Sequence, residues 1–343
     1  MKGGSRSRLG LALLLGVWAV AASLASCSPD GADLDRQALD VPATCADLAE
    51  RGSLRVLTLN LHFSAIRERP RRLETISDFI AAEGVDVALL QEAVGGVLSG
   101  SRNSARDLRD ALSDRHGLAF DLRTAVEDGV PGVLTVANAI LSRCAVLEAR
   151  TAALPEIAEL EVLGHRFRLG RNVVMARLLV PKIGEISVYN THLCARCTAD
   201  QRRRQLVEAL AFIGANEEGG GRPVIFGGDL NLDLHGADDA ERALYGLMAE
   251  AGLRDAASAV TGAVGQLCAQ PARPDAYCTV GVAEPTRPHS KRIDYLFARD
   301  FGGILAYRTV FNPRLDPTQT AVSNHAGVMV ELDLTTGRAL ARP

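Results

Sequence analysis

The sequence predicts an α/β protein with its chemistry gathered at the strand ends, and three observations support this. Short apolar runs recur at 54–60, 85–91, 185–190, 223–228, 292–297 and 328–332, and read as buried strands. Between them lie segments whose apolar residues repeat at helical spacing, such as Leu73, Ile76, Phe79 and Ile80. The strands also end in polar residues: Asn60, Glu92, His192, Asp229 with Asn231, Asp294 and His325. Polar groups at several strand mouths make one convergent site in an α/β protein.

The chain begins with the marks of an export segment. Lys2, Arg6 and Arg8 form a basic start, Leu9 to Ala22 an apolar core, and Leu24-Ala25-Ser26-Cys27 resembles a bacterial lipobox. The apolar run is short for a spanning helix and ends in small residues. The resemblance implies acylation of Cys27, loss of residues 1–26, and a mature protein in the bacterial cell envelope, tethered to a membrane by lipid. Residues 27–50 read as a tether and N-terminal docking segment, 51–335 as the main domain, and 336–343 as a tail. Removing residues 1–26 takes away three basic and no acidic residues, so the formal net charge moves from −3 to −6. That excludes a basic protein that coats nucleic acid. The only tryptophan, Trp18, is lost with the segment.

With Cys27 lipidated, six cysteines remain, an even number that favours disulfides in an exported protein. Cys194-Ala195-Arg196-Cys197 has the spacing of a redox pair or half a zinc site. Zinc takes four ligands and no second close pair exists, so a structural bridge is the better reading. Cys268 and Cys278 share a proline-containing loop and are read as a pair. Cys45 with Cys144 follows only by elimination.

Taken in order, the first strand, 54–60, is followed by a helix at 68–83, stopped by Gly84. A strand at 85–91 ends at Glu92. Residues 102–115 form an amphipathic helix. A β-rich section follows at 118–126, 133–141, 145–150, 160–169 and 172–180. The strand at 185–190 leads into Thr191-His192-Leu193, and a helix covers 199–214. Pro223-Val224-Ile225 opens the strand that turns at Phe226-Gly227-Gly228-Asp229-Leu230-Asn231. Asp229 and Asn231 are two apart, so they share one face if the strand continues. A helix is expected at 239–251, a long loop at 256–290, then the strands at 292–297 and 328–332.

These stretches resemble the endonuclease/exonuclease/phosphatase superfamily, with its DNase I-like fold. The matching motifs are Thr58-Leu59-Asn60, Leu90-Gln91-Glu92, Asn138-Ala139-Ile140-Leu141-Ser142-Arg143, Asn190-Thr191-His192-Leu193, Gly228-Asp229-Leu230-Asn231, Arg292-Ile293-Asp294-Tyr295 and Ser323-Asn324-His325. They occur in family order from about 54 to 333. The resemblance implies a four-layer α/β sandwich, two mixed β-sheets packed face to face with helices outside, and metal-dependent hydrolysis of phosphate esters.

It also implies roles. Glu92 binds Mg²⁺ (Mn²⁺ or Ca²⁺ being alternatives), helped by Asn60, with Asn324 beside the metal where most members carry Asp. Asp229 and Asn231 orient water and phosphate. His325 contacts the phosphate or acts as a base, and Asp294 fixes its tautomer. His192 is a general acid or phosphate contact, with Glu127 as its acidic partner. Arg171 resembles a phosphate-contacting arginine, against a reading as a solvated charge at a strand start. His62, two beyond Asn60, is a peripheral substrate-binding candidate. His116, His165, His235 and His289 read as surface or packing residues, and Arg202-Arg203-Arg204 as an exposed helix face.

The His192 motif separates the chain from abasic-site endonucleases, and the Asp294 motif from inositol-polyphosphate phosphatases. Nucleases and sphingomyelinase- or phospholipase C-type enzymes remain, so the partner is nucleic acid or a phospholipid headgroup. The expected state is a monomer. A catalytically degenerate, membrane-tethered binding module of the same fold is the alternative to an enzyme.

Overall fold

The computed structural model describes residues 45–335, apart from 65, 66, 101, 156, 157, 163, 164, 237, 263–267, 269–275 and 284–290. The export segment, Cys27, the tether to residue 44, His289 and the tail at 336–343 lie outside the described residues. The chain divides into units of Met1–Asp33 and Leu34–Pro343, and every described residue belongs to the second.

The elements follow in the order α1 (Leu48–Arg51), β1 (Ser53–Asn60), α2 (Arg69–Glu83), β2 (Val87–Gly95), a 3-10 turn (Val97–Ser99), α3 (Ser104–His116), β3 (Asp121–Val130), β4 (Leu134–Ser142) and β5 (Ala145–Ala153). Then come β6 (Ala158–Val162), β7 (His165–Leu169), β8 (Asn172–Val180), β9 (Gly184–His192), α4 (Ala199–Asn216), β10 (Val224–Asp229), α5 (Asp239–Ala243) and α6 (Tyr245–Glu250). The chain closes with β11 (Arg254–Asp255), α7 (Ala256–Thr261), β12 (Asp294–Arg299), β13 (Gly303–Val310) and β14 (Gly327–Asp333). One six-stranded sheet runs β13-β14-β1-β2-β4-β3, and a second runs β11-β12-β10-β9-β8-β5. Each mixes one parallel pair, β1–β2 or β9–β10, with antiparallel pairs. This is the DNase I-like sandwich the sequence implies.

Period-two alternation sorts the side chains into three cores. Val56, Leu89 and Ile140 of the first sheet meet Val174, Val188, Ile225 and Leu296 of the second between the sheets. The alternate residues of the first sheet, among them Leu57, Leu59 and Leu90, face outward under Leu73, Ile76 and Ile80 of α2 and Leu108 and Leu112 of α3. Those of the second, among them Tyr189, Phe226 and Phe297, lie under Leu206, Ala209 and Ile213 of α4. The helices have ordinary sequence punctuation. Thr198 and Gln201 form a capping box on α4, and Gly84 ends α2 in the left-handed region at φ 60°.

Several expectations are corrected. The strand expected at 160–169 is a hairpin, β6 with β7, forming its own two-stranded sheet. The helix expected at 239–251 is broken into α5 and α6 at Leu244, which caps both. The stretch expected as loop from 256 opens with α7, capped by the Asp255 carboxylate accepting from Ala257 N–H. β13 has no counterpart in the sequence reading. It is an edge strand, exposed or half-buried up to Arg308, and carries little apolar alternation.

Three disulfides join Cys45 to Cys144, Cys194 to Cys197 and Cys268 to Cys278. The first ties the segment before α1 to the β4–β5 turn, across a sequence separation of 99. Closing so long a loop removes much unfolded-state entropy. The double variant Cys45→Ser/Cys144→Ser should therefore lose about 2–5 kcal/mol of stability in urea unfolding. An unchanged midpoint would show that the bridge contributes nothing to native stability.

Candidate active site

The inner faces of both sheets turn from apolar to polar at one end. In the second sheet His192 of β9 is the register partner of Asp229 of β10, and Asp229 in turn pairs with Asp294 of β12. Neighbouring strands lie roughly 4.8 Å apart, so an imidazole and two carboxylates stand in one row. Gly228, at φ 130°, permits this, because a Cβ there would overlap the Thr191 carbonyl oxygen. From the first sheet, Asn60 donates through Nδ2 to Asp229 Oδ2 at 3.1 Å, while its Oδ1 accepts the His62 N–H at 2.8 Å.

The alternation alone would put Glu92 on the opposite face from Gln91. Instead β2 bulges. Leu90 pairs with Ala139 and Ala93 with Ala137, leaving Gln91 and Glu92 together opposite Asn138. Glu92 takes a left-handed φ of 55°, is half-buried, and accepts the Phe63 N–H on Oε2 at 2.8 Å. The strand runs on to Gly95 rather than stopping at Glu92. β3 bulges too, with Glu127 as the extra residue between Val126, paired with Ala137, and Asp128, paired with Val136. Bulges re-aim side chains, and both acidic candidates outside the His192 row depend on one.

Each imidazole is backed by a carboxylate. His192 Nδ1 donates to Glu127 Oε1 at 3.1 Å, and its Nε2 lies 3.6 Å from Asp229 Oδ2. His325 Nδ1 donates to Asp294 Oδ2 at 2.9 Å and lies 3.8 Å from Asp229 Oδ2. Burial pulls the His325 pKa down, but the Asp294, Asp229 and Glu92 carboxylates outweigh it and hold the value up at about 10. Burial likewise opposes the charge on His192, and Glu127 with Asp229 tips it upward. Asp229 is pushed up by burial first and then by Asp294, with both histidines acting against the shift.

Asp229, Asp294 and His325 offer potential metal-ligand atoms within 4.8 Å of one another. Asp294 Oδ2 and His325 Nδ1 are already spent on each other, so these two read better as a hydrogen-bonded pair with the Asp229 carboxylate 3.8 Å away. Asp294 Oδ1 is buried without a partner among the described residues. Of the residues that the resemblance assigns to the metal, Asn60 is joined to Asp229 by a hydrogen bond, and Glu92 is half-buried with Oε2 on the Phe63 N–H.

The remaining candidates are placed less uniformly. β10 ends at Asp229, so Asn231 does not share its face by strand alternation. Asn231 adopts φ 49°, its N–H donates to Asp229 Oδ1 at 3.0 Å, and its carboxamide donates to Leu193 O at 2.9 Å. Asn324 is half-buried beside His325 and accepts the Ser323 hydroxyl at 3.3 Å. Arg171 lies 3.4 Å from Glu127 Oε1 and is mostly buried, not solvated. His62 has φ 56° and its Nε2 meets Ser64 Oγ at 2.9 Å.

Of the other histidines, His116 pairs with Asp78, and His235 is buried against Asp255. In the arginine run only Arg203 and Arg204 are exposed. Arg202 is half-buried and pairs with Glu241.

Four amides outside the sequence-derived set hold the site together. Gln91 Nε2 donates to Asn190 Oδ1 at 2.7 Å, and Asn190 donates back to Leu90 O and Ala139 O, which clamps one sheet to the other. Asn138 donates to Glu127 Oε2 at 3.0 Å and to Asn172 Oδ1 at 2.9 Å. Near Asp294 in the chain, Arg292 is fully buried and ion-paired to Asp255 at 2.6 Å. Burial would raise the Asp255 pKa, but Arg292, His235 and Ser258 hold it well below the carboxylate range.

The model of the Endonuclease/Exonuclease/phosphatase family matches residues 57–325, a span that takes in every strand-end residue described above. The chain belongs to this family. Among solved structures, an endonuclease/exonuclease/phosphatase from Beutenbergia cavernae is 24% identical, with a TM-score of 0.58 over 82% of this chain and 72% of that one. TDP2 from D. rerio, complexed with single-strand DNA product, is 18% identical, with a TM-score of 0.57 over 82% and 98%. The mannosyl-6-phosphatase of Bacteroides thetaiotaomicron is 19% identical, with a TM-score of 0.56 over 81% and 99%. At these identities the likeness establishes the fold. No curated protein matches the chain by sequence. The family generally uses divalent metals, and a carboxylate–histidine cluster is present here.

Proposed function

We propose that this family member is a phosphodiesterase that works with a divalent cation, Mg²⁺ in the first instance. One observation carries the reading: two buried imidazoles, each backed by its own carboxylate, converge on Asp229 Oδ2 from either side. Hydrolysis of a diester needs a proton taken from water, a proton given to the leaving oxygen, and donors to the phosphate oxygens. Asp229, with its raised proton affinity, takes the proton of the attacking water. As the bond from that oxygen to phosphorus forms, the bond to the leaving oxygen breaks, and His192 supplies the proton that makes the leaving group an alcohol. Protonated His325 turns Nε2–H to the phosphate, held in orientation by Asp294. Arg171, 3.4 Å from Glu127 Oε1, is a further candidate donor to the same phosphate.

The donor set fits a hard cation: Glu92 has one oxygen on a single N–H, and Asn60 and Asp229 complete an oxygen-rich corner. Asn60, Glu92 and Asp229 would hold the ion, with Asn324 nearby. When bound, such an ion neutralises phosphate charge and acidifies water. We also propose that the mature protein is exported and anchored by acylated Cys27. No helix among the described residues is long and apolar enough to cross a membrane.

Turnover of bis(p-nitrophenyl) phosphate with Mg²⁺, and its loss with EDTA, tests the reading. Full activity in EDTA, or none under either condition, overturns it. Asn324→Asp gives a second test. It adds an anion to the three already raising the His325 pKa, so the pH optimum should move upward, with activity staying within about tenfold, or ~1.4 kcal/mol in the barrier. An inactive wild type that this substitution switches on would identify the natural protein as a degenerate binding module.

A further inference from the structure

We infer that the protein carries a second substrate subsite, beside the catalytic row, for the neighbouring nucleotide of a single-stranded nucleic acid. This rests on the phosphodiesterase reading and names its substrate class. A groove of about 450 Å³ is lined by Gly96, Val97, Gly100, Arg102, Gly132 and Thr135. That is within the size range of small-ligand sites.

Its position follows from the register. The strand ends Asn60 and Gln91 are paired at the mouth, but β2 overhangs that level through Glu92 to Gly95, where it meets Thr135 of β4. The groove therefore begins three extended residues beyond Glu92, roughly 10 Å along the strand. The β3–β4 hairpin and the 3-10 turn form its wall, joined by the Val97 N–H to Gly132 O and the Leu98 N–H to Val133 O.

The lining has a definite chemistry. Three of the six residues are glycines, so much of the wall is bare backbone. Gly96 must be glycine, since its φ is 98° and a Cβ would overlap Val133. A slot without side chains suits a flat ring. The Thr135 hydroxyl can donate or accept at its edge. At the rim, Arg102 is exposed, and no hydrogen bond or ion pair engages its guanidinium among the described residues. An unengaged guanidinium suits a phosphate. Val97, 78% exposed, offers an apolar face next to it.

A ligand that fills both places must carry a flat ring and a second anion about one strand overhang from the scissile phosphate. An oligonucleotide does. A phosphocholine headgroup offers a cation there and would be repelled by Arg102.

The test compares a short single-stranded oligodeoxynucleotide with bis(p-nitrophenyl) phosphate, which has one phosphate and no neighbour, in the wild type, Arg102→Ala and Arg102→Lys. The ratio of kcat/KM for the oligonucleotide to that for the small diester should fall about tenfold in Arg102→Ala and recover partly in Arg102→Lys. The slope of log KM for the oligonucleotide against log salt should shrink by about 0.7, the single-strand value for one lost phosphate contact. An unchanged ratio and slope would overturn the subsite. So would a wild type that cleaves the small diester but no nucleic acid, or one that cleaves sphingomyelin in phosphatidylcholine vesicles in an Arg102-dependent way. A wild type that cleaves neither diester nor nucleic acid would instead remove the phosphodiesterase reading beneath it.

Discussion

Asp229→Asn and Glu92→Gln should each lower kcat by about 10²–10⁴ while leaving the fold intact. Asp229 is the hub of the site: Asn60 donates to its Oδ2, and both imidazoles lie within 4 Å of the same oxygen. Asn at this place keeps the shape but cannot take a proton from water. It also removes an anion that helps to keep both imidazoles protonated. Glu92→Gln keeps an acceptor for the Phe63 N–H but discards a carboxylate oxygen, the donor a hard cation most needs. Neither change creates a cavity, so circular dichroism and the unfolding midpoint should move little. Asp229→Asn also relieves the repulsion between Asp229 and Asp294, which offsets its cost to the fold. Steady-state rates on bis(p-nitrophenyl) phosphate, with and without added Mg²⁺, measure the effect. Wild-type turnover in either variant would end the mechanism proposed for this site.

The row of strand-end residues was legible because a buried strand announces itself by its apolar run, and a polar residue closing such a run is conspicuous. Asn60, His192 and Asp229 belong to that class, whereas Asp294 opens β12 instead of closing a strand. Glu92 was legible as a residue but not as a geometry. Nothing in Leu90-Gln91-Glu92-Ala93 marks the extra residue of a bulge, which exists only through the pairing with β4. The roles of Asn138 and Asn172 were hidden for a related reason: their partners come from other strands, so the fold has to be known first. The Arg292–Asp255 pair spans 37 residues, and only packing shows that an arginine next to a catalytic motif is buried rather than solvated. β13 escaped because an exposed edge strand does not need a periodic apolar face.

Asp294→Asn should cost about 10–100-fold in kcat, as removal of an orienting partner does, and should move the alkaline limb of the pH–rate profile to lower pH. In the native site burial disfavours the His325 imidazolium, but Asp294, then Asp229 and Glu92, hold its pKa up at about 10. The ring is therefore charged at neutral pH, with Nδ1–H directed to Asp294 and Nε2–H left for phosphate. The variant loses the largest of the three attractions and keeps the burial, so the charge is shed at lower pH. The same shift appears in stability. A histidine whose pKa is raised on folding, from the unfolded value of about 6.5, stabilises the native state fully below that pH. The contribution fades as pH rises through the folded value, about 10 in the wild type. In the variant the fading should still begin near the unfolded value but end at lower pH, so the thermal midpoint should depend less on pH between neutrality and pH 10. Rate profiles and melting curves over that range measure both effects. An alkaline limb that stays in place while kcat falls would mean that Asp294 serves the fold or the metal corner and that the protonated form of His325 is not the one used.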